Sequence, residues 1–410
     1  MPPLSDPLGL SRAGWEAAAE SLELPRYRGR QIFDALHVRG KRSWAAMAEL
    51  PGVLRERLAR EAPIHLPQIA RREESADGSR KYGLLLQDGA LVEAVFMPGE
   101  VSRAEVNEFE DARVRGEGRG ARGEAEQEGT RGDGPAVGVR AEGRGVIGKR
   151  STEPPERYTV CLSSQTGCAV DCAFCVTGRL GGGRNLTAGE ILGQLYAVCD
   201  DVGRGSEGLR VVFMGMGEPF QNPEGVIGAL EVLFEVISPR RVTVSTSGIA
   251  PVFRRFAELP RRPNLAVSIN AADEETRIRL MPITRAYPLA DVLRAMRQWP
   301  LESHRRITAE YVLIAGVNDS PEDARRLVRL LRGMAVKVNV IPLNEDPTHL
   351  PGWKRPGEGA IDAFARELAG AGVPVTVRRS RGPDARAACG QLKGRTEDVR
   401  RRGEGRGARG

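Results

Sequence analysis

The chain has 410 residues, 40% of them hydrophobic, and a formal net charge of +7. That length allows two domains, or one large domain with additions, and a sizeable apolar core. No run long and apolar enough for a membrane span occurs, and Met1 to Asp6 lacks a basic stretch leading into an apolar one, so a cytoplasmic protein is expected.

Residues 393–410 hold seven Lys or Arg against three acids, so +4 of the excess charge sits in the tail. Overall basicity therefore permits an RNA partner without demanding one. In chain order, residues 8 to about 70 read as helical, since Ser11 to Leu22 and Arg30 to His37 carry apolar residues at three- and four-residue spacing. A helical domain over 1–75 is expected. Arg26, Arg28, Arg30, Arg39, Lys41 and Arg42 are interleaved there, and a solvated face and an RNA-contacting face fit them equally. Residues 76–98 predict a β-hairpin, Tyr82–Leu86 and Leu91–Phe96 about a turn at Asp88-Gly89.

From Pro98 to Pro154 the composition changes: ten basic residues face twelve acidic ones and aromatics nearly vanish. Such a stretch buries too little apolar area to offset its ordering entropy, and 99–154 reads as a disordered insertion. The nonamer at 115–123, Arg-Gly-Glu-Gly-Arg-Gly-Ala-Arg-Gly, recurs at 402–410 inside the basic tail 393–410, also read as disordered. Over 155–392, strand patterns recur at Tyr158–Ser163, Arg210–Met214, Arg241–Thr246, Leu265–Asn270, Thr308–Ile314, Val336–Ile341 and Val373–Arg378. Helical patterns such as Ile191–Cys199 and Glu322–Arg332 lie between them. The alternation predicts an α/β fold with a parallel sheet wrapped by helices, a partial or full barrel with its site at the C-terminal strand ends.

Six cysteines are present, and four of them fall within fifteen residues. The loop after the first barrel strand reads Cys168-Ala-Val-Asp-Cys172-Ala-Phe-Cys175, a C-x3-C-x2-C spacing. Three thiolates from one loop suit an iron–sulfur cube with one iron left open. A structural zinc ion would need a fourth ligand nearby, and no His lies between His65 and His304. Thr187-Ala-Gly-Glu190 then reads as a capping box opening a helix. Met214-Gly-Met-Gly-Glu-Pro219 follows the second strand, where glycines let backbone approach a ligand and Glu218 can accept a bond from an ammonium group. Cys199 sits in a helical pattern and reads as core.

These stretches carry a specific resemblance. Cys161-Leu-Ser-Ser-Gln-Thr-Gly-Cys168, Gly183-Arg-Asn-Leu-Thr187, Gly215-Met-Gly-Glu-Pro219, Ser245-Thr-Ser-Gly248, Ile341-Pro-Leu-Asn344 and Arg381 to Gln391 are similar to the bacterial RNA adenine C2-methyltransferases of the radical S-adenosylmethionine (SAM) class. The resemblance implies a partial (β/α)6 TIM-like barrel behind a small helical N-terminal domain. It implies a [4Fe–4S] cluster on Cys168, Cys172 and Cys175, and SAM held by Gly217, Glu218, Ser245, Ser268, Ile269, Asn270 and Asn344. Asn270 stands where many members carry a His; Asn still donates and accepts hydrogen bonds. The implied substrates are 23S ribosomal RNA and, in some members, tRNA. The other expected partner is a small electron-donor protein such as a flavodoxin or ferredoxin, with the enzyme itself a monomer.

The same resemblance gives two more cysteines a use. Adenine C2 is electron-poor and cannot attack the methyl of SAM, so a radical route is needed. Cys389 would take a methyl from one SAM, a second SAM would turn that S-methyl into a radical that adds to C2, Glu93 would remove the C2 proton, and Cys161 would release the product through a transient disulfide. A C8-methylating relative that confers antibiotic resistance shares these cysteines, a radical SAM protein acting on a small molecule would leave them unexplained, and a non-catalytic RNA-binding protein with a structural metal is a third reading.

Overall fold

The computed structural model describes residues 4–99, 156–378 and 390–392. Cys389, the tail 393–410 and the expected insertion beyond Gly99 lie outside the described residues. The elements below belong to one compact unit.

Three helices come first: α1 (Arg12–Ser21), α2 (Tyr27–Phe33) and α3 (Gly52–Glu61). Ser11 caps α1 by accepting from Gly14 N at 3.3 Å, and Trp15, Ala18 and Ala19 bury one face. Helix α2 crosses α1 at Gly29, where an added Cβ would lie 2.3 Å from the Trp15 carbonyl oxygen; only glycine permits this approach. The helical reading of 8–70 ends too late, however. Gln68–Glu74 is a strand, β1, and so the expected helical domain over 1–75 is shorter than its sequence pattern promised. Charged residues at Arg71, Arg72, Glu73 and Glu74 hide its alternation, because β1 is a sheet edge whose charged side chains form ion pairs, most of them with residues of other elements.

Strands β2 (Arg80–Leu85) and β3 (Leu91–Pro98) form the expected hairpin, with Gly89 at φ +82° in its turn. The strand–helix alternation follows: β4 (Tyr158–Cys161), α4 (Val176–Arg179), α5 (Ala188–Val202), β5 (Leu209–Phe213), α6 (Pro223–Val236), β6 (Val242–Thr246), α7 (Phe253–Ala257), β7 (Asn264–Ser268), α8 (Glu274–Leu280), α9 (Leu289–Gln298), β8 (Ile307–Leu313), α10 (Pro321–Leu331), β9 (Val336–Pro342), α11 (Glu358–Gly370) and β10 (Val375–Val377). All ten strands join one sheet in sequence order. Strands β1 to β4 pair antiparallel, and β4 to β10 pair parallel. All seven strands expected over 155–392 are present, and β1 to β3 extend the barrel sheet on its first edge. Val160, Val211, Val244, Val267, Ala309 and Val338 are fully buried, as parallel strands covered on both faces require. The capping box at Thr187 forms and opens α5, and Cys199 lies in the core beside Tyr158, where burial pushes its thiol up to about 11. Among the described residues no helix is long and apolar enough to cross a membrane.

The N-terminal helices meet the barrel through His37, whose Nδ1 lies 2.5 Å from the Tyr196 hydroxyl of α5. Arg42 covers the Tyr196 ring and pairs with Asp200 at 3.0 Å. Arg26 and Arg30 pair with Glu16, and Arg39 with Glu49, so much of the basic pattern in this region is neutralised within the protein. Burial, then the charges of Arg42 and Arg12, pull the His37 ring down to about 3. In the unfolded chain an unperturbed His takes its proton near pH 6.5, so the folded state binds fewer protons below that pH. The stabilising contribution is therefore complete above pH 6.5 and falls by up to about 1.4 kcal/mol per pH unit between 6.5 and 3. Urea denaturation between pH 7 and 5 should show this slope in the native chain and a shallower one in His37→Gln.

Candidate active site at the C-terminal ends of the strands

The expected site residues gather where the parallel strands end. After β4 the chain runs through Leu162 to Gln165 into the cysteine loop. Cys168 N donates to Gly181 O at 2.9 Å, Cys175 N to Cys172 O at 3.0 Å, and Ala173 N to Leu280 O at 2.9 Å, which ties the loop to the end of α8. Asp171 takes φ +53° between the first two cysteines. Burial pushes the Cys168 thiol up to about 12 and raises Cys172 well above the ordinary thiol value, with Cys175 and Glu218 adding to the rise at both. A metal cluster takes such thiols as thiolates, with release of protons.

The glycines after β5 pack the loops against each other. An added Cβ at Gly217 (φ +97°) would meet Gln165 at 2.6 Å, and one at Gly215 would meet the Leu162 carbonyl at 2.7 Å. Their close approach is thus to the neighbouring loop, a stricter constraint than ligand access. Glu218 is buried; its Oε1 accepts from Thr246 Oγ1 (2.7 Å) and Phe220 N (2.9 Å), and its Oε2 from Ser247 N (2.7 Å). Burial still raises its carboxyl pKa above the ordinary value. Glu218 therefore clamps the end of β5 to the end of β6.

Ser245 lies on β6, and Ser268 ends β7; both are half-buried. Asn270 follows in the left-handed region at φ +56°, which Asn tolerates better than most residues. Its Oδ1 accepts from Val312 N at 2.8 Å and its Nδ2 lies 3.1 Å from Met281 Sδ, so that side chain braces β8. Asn344 follows the end of β9. Ile269 buries its side chain in the main core, and its N–H donates to Glu310 O at 2.9 Å.

Arg277, on α8, escaped the sequence reading. It is fully buried and donates to Ser247 O (2.6 Å), Ile269 O (3.2 Å), Ser268 O (3.2 Å) and Thr284 Oγ1 (2.7 Å). It thereby holds the ends of β6 and β7 together, close enough to Cys172 to favour its thiolate; burial pulls the guanidinium down to about 10. Its only sequence signal was a charged residue in a short helix, which ordinarily faces water.

On the other side of the cysteine loop, β3 pairs with β4 so that Val95 faces Cys161. Glu93, two residues before Val95, shares that face of the sheet. Glu93 and Cys161 are both buried, and Cys161 packs with Val95, Met216 and Leu392. Ser163 Oγ donates to Glu93 O at 2.5 Å and accepts from Met216 N at 2.8 Å, locking β3 to the ends of β4 and β5. The described end of the chain returns here. Gly390 O accepts from Val176 N at 2.7 Å, and Leu392 O from Thr177 Oγ1 at 2.7 Å. The residues just after Cys175 thus bind the residues just after Cys389.

A parallel half-barrel with a three-cysteine loop behind its first strand is the arrangement of radical SAM enzymes. The profile of the Radical SAM superfamily matches residues 162–328. The chain is 40% identical to the "Dual-specificity RNA methyltransferase RlmN" of Anaeromyxobacter dehalogenans, over 92% of this chain and 89% of that protein. It is 41% identical to the "Probable dual-specificity RNA methyltransferase RlmN" of Koribacter versatilis, over 93% and 99%. A radical SAM methyltransferase of Sphaerobacter thermophilus superposes with a TM-score of 0.75 at 36% identity, over 95% of this chain and 99% of that one. The chain belongs to the RlmN family of radical SAM methyltransferases.

Its cofactors are a [4Fe–4S] cluster and SAM. The residues present fit both. Among the described residues no three such side chains close on a single point as ligands of one ion would. A cube does not ask for that, since each thiolate binds its own iron. Just beyond β4, Ser164 Oγ is buried and finds no hydrogen-bond partner among the described residues, as a polar ligand's site would leave it.

Proposed function

We propose that this enzyme methylates C2 of an adenine in 23S ribosomal RNA and in tRNA, with Cys168, Cys172 and Cys175 holding the cluster, Cys389 carrying the methyl, Glu93 acting as base and Cys161 as resolving thiol. The observation that carries the reading is the docking of Gly390–Leu392 on Val176, Thr177 and the Cys161 cluster. It ties the stretch bearing the proposed carrier to both the proposed cluster loop and the proposed resolving thiol. Held by Cys168, Cys172 and Cys175, the cluster would supply one-electron chemistry toward SAM. The rest falls to the chain. The Cys389 thiolate attacks the methyl carbon of a first SAM, forming its Sγ–CH3 bond as the sulfonium S–CH3 bond breaks and S-adenosylhomocysteine leaves. Gly217, Glu218, Ser245, Ser268, Ile269, Asn270 and Asn344 form the wall that positions SAM, with Arg277 fixing the ends of β6 and β7 behind it. Glu93 accepts the C2 proton. The Cys161 thiolate then attacks Cys389 Sγ, forming the S–S bond and breaking the Sγ–CH2 bond; the carbon takes a proton and completes the methyl. A dithiol reductant restores both cysteines, and a small flavodoxin or ferredoxin supplies electrons to the enzyme, a cytoplasmic monomer.

Nucleoside mass spectrometry on RNA from cells with and without the protein tests this, against 2-methyl- and 8-methyladenosine standards of equal mass. Loss of 2-methyladenosine from ribosomal and transfer RNA is expected. Loss of the 8-methyl isomer would reassign the position, and no change in either would refute RNA methylation.

A further inference from the structure

Three residues stand in one row across β1, β2 and β3. Arg71 pairs with Gly83, and Gly83 pairs with Glu93. Because Gly83 has no side chain, Arg71 passes over β2 and sets its guanidinium 2.7 Å from Glu93 Oε1. The gap has little slack: an added Cβ at Gly83 would lie 3.3 Å from Arg71 Cβ and 3.7 Å from Leu91 Cδ1. Arg71 is itself steadied from the edge. Its Nε lies 3.2 Å from Glu73 Oε1, and Glu73 Oε2 meets the buried Lys81 ammonium at 3.0 Å. Alternating charges therefore run from the sheet edge to a carboxylate that has no contact with solvent. An edge strand bearing so many charges protects against strand addition, but that role asks nothing of a glycine opposite and needs no buried partner.

We propose that Arg71, admitted through the Gly83 gap, is the positioning residue that orients the Glu93 carboxylate for its proton transfer. The proposal rests on the reading of Glu93 as the base. A base must point at the proton it takes, and a carboxylate held through one oxygen cannot rotate freely. Arg71 meets that need from a strand that brings no other group to the chemistry described above.

The test uses the reconstituted full-length enzyme with Cys389 already methylated, one turnover on RNA, and denaturing gels that resolve the covalent protein–RNA adduct. Glu93→Gln should accumulate adduct. Arg71→Gln should also accumulate it and resolve it about 10–100-fold more slowly than the native enzyme, with the yield of 5′-deoxyadenosine unchanged. Arg71→Lys should recover most of the rate, because it keeps a cation in reach. Gly83→Val, which leaves every polar group in place, should behave as Arg71→Gln does. If Glu93→Gln accumulates adduct while Arg71→Gln and Gly83→Val resolve it at the native rate, the role of Arg71 is overturned and the base stands. If Glu93→Gln resolves adduct at the native rate, the base reading fails and takes this proposal with it. Should Arg71→Gln not fold, Arg71→Lys and Gly83→Val decide by the same measure.

Discussion

Cys389→Ala should lower RNA methylation by at least about 10⁴-fold, the scale seen when a covalent nucleophile is removed. Its iron content and brown absorption should match those of the native enzyme. The expectation follows from the separation of duties in the site. The cluster loop is held by its own backbone bonds and by Leu280 of α8, and Gly390 contributes one bond, at Val176, outside the C-x3-C-x2-C loop. Alanine at 389 leaves that Gly390 bond available, so the cluster keeps its support while the methyl loses its carrier. Anaerobic iron analysis with a nucleoside assay on the same preparation checks both halves. Full methylation by the alanine variant would refute the carrier, and a colourless protein would show that position 389 serves the cluster instead.

Arg277→Met is expected to cost roughly 3 kcal/mol of stability, the upper end for buried acceptors that lose a charged donor. Met approximates the volume but leaves Ser247 O, Ser268 O, Ile269 O and Thr284 Oγ1 without the donor they share. Chemical denaturation under anaerobic conditions should show a lower midpoint with an unchanged slope. The loss should reach the cofactor as well. The carbonyls that Arg277 gathers belong to the ends of β6 and β7, so SAM should bind more weakly to whatever variant folds. A change below 1 kcal/mol would mean that these bonds stabilise far less than their burial implies.

Elements with strong local periodicity were legible. The seven parallel strands, the hairpin turn at Gly89 and the capping box at Thr187 each follow from patterns a few residues long, and each forms as read. Strand β1 was not legible, because its polar sequence is meaningful only once β2 lies beside it. The C-x3-C-x2-C loop was visible because ligand spacing is written along the chain. The reason for its neighbours was harder to see. Gly217 looked like an opening toward a ligand, yet its nearest obstacle is Gln165, in a loop that precedes it by a whole βα unit.

The sequence by itself determined the repeating strand–helix order, the three-cysteine loop and the family motifs, since hydrophobic period, capping and ligand spacing act over short distances along the chain. Only the tertiary structure decided which groups meet. Glu93 and Cys161 share one sheet face because β3 pairs with β4 in a particular register, and Arg71 reaches Glu93 because a glycine stands between them. Arg277 becomes a buried strut because two strand ends present their carbonyls to it. Pairings of that kind depend on strand register and loop packing between residues distant in sequence, and no local pattern encodes them.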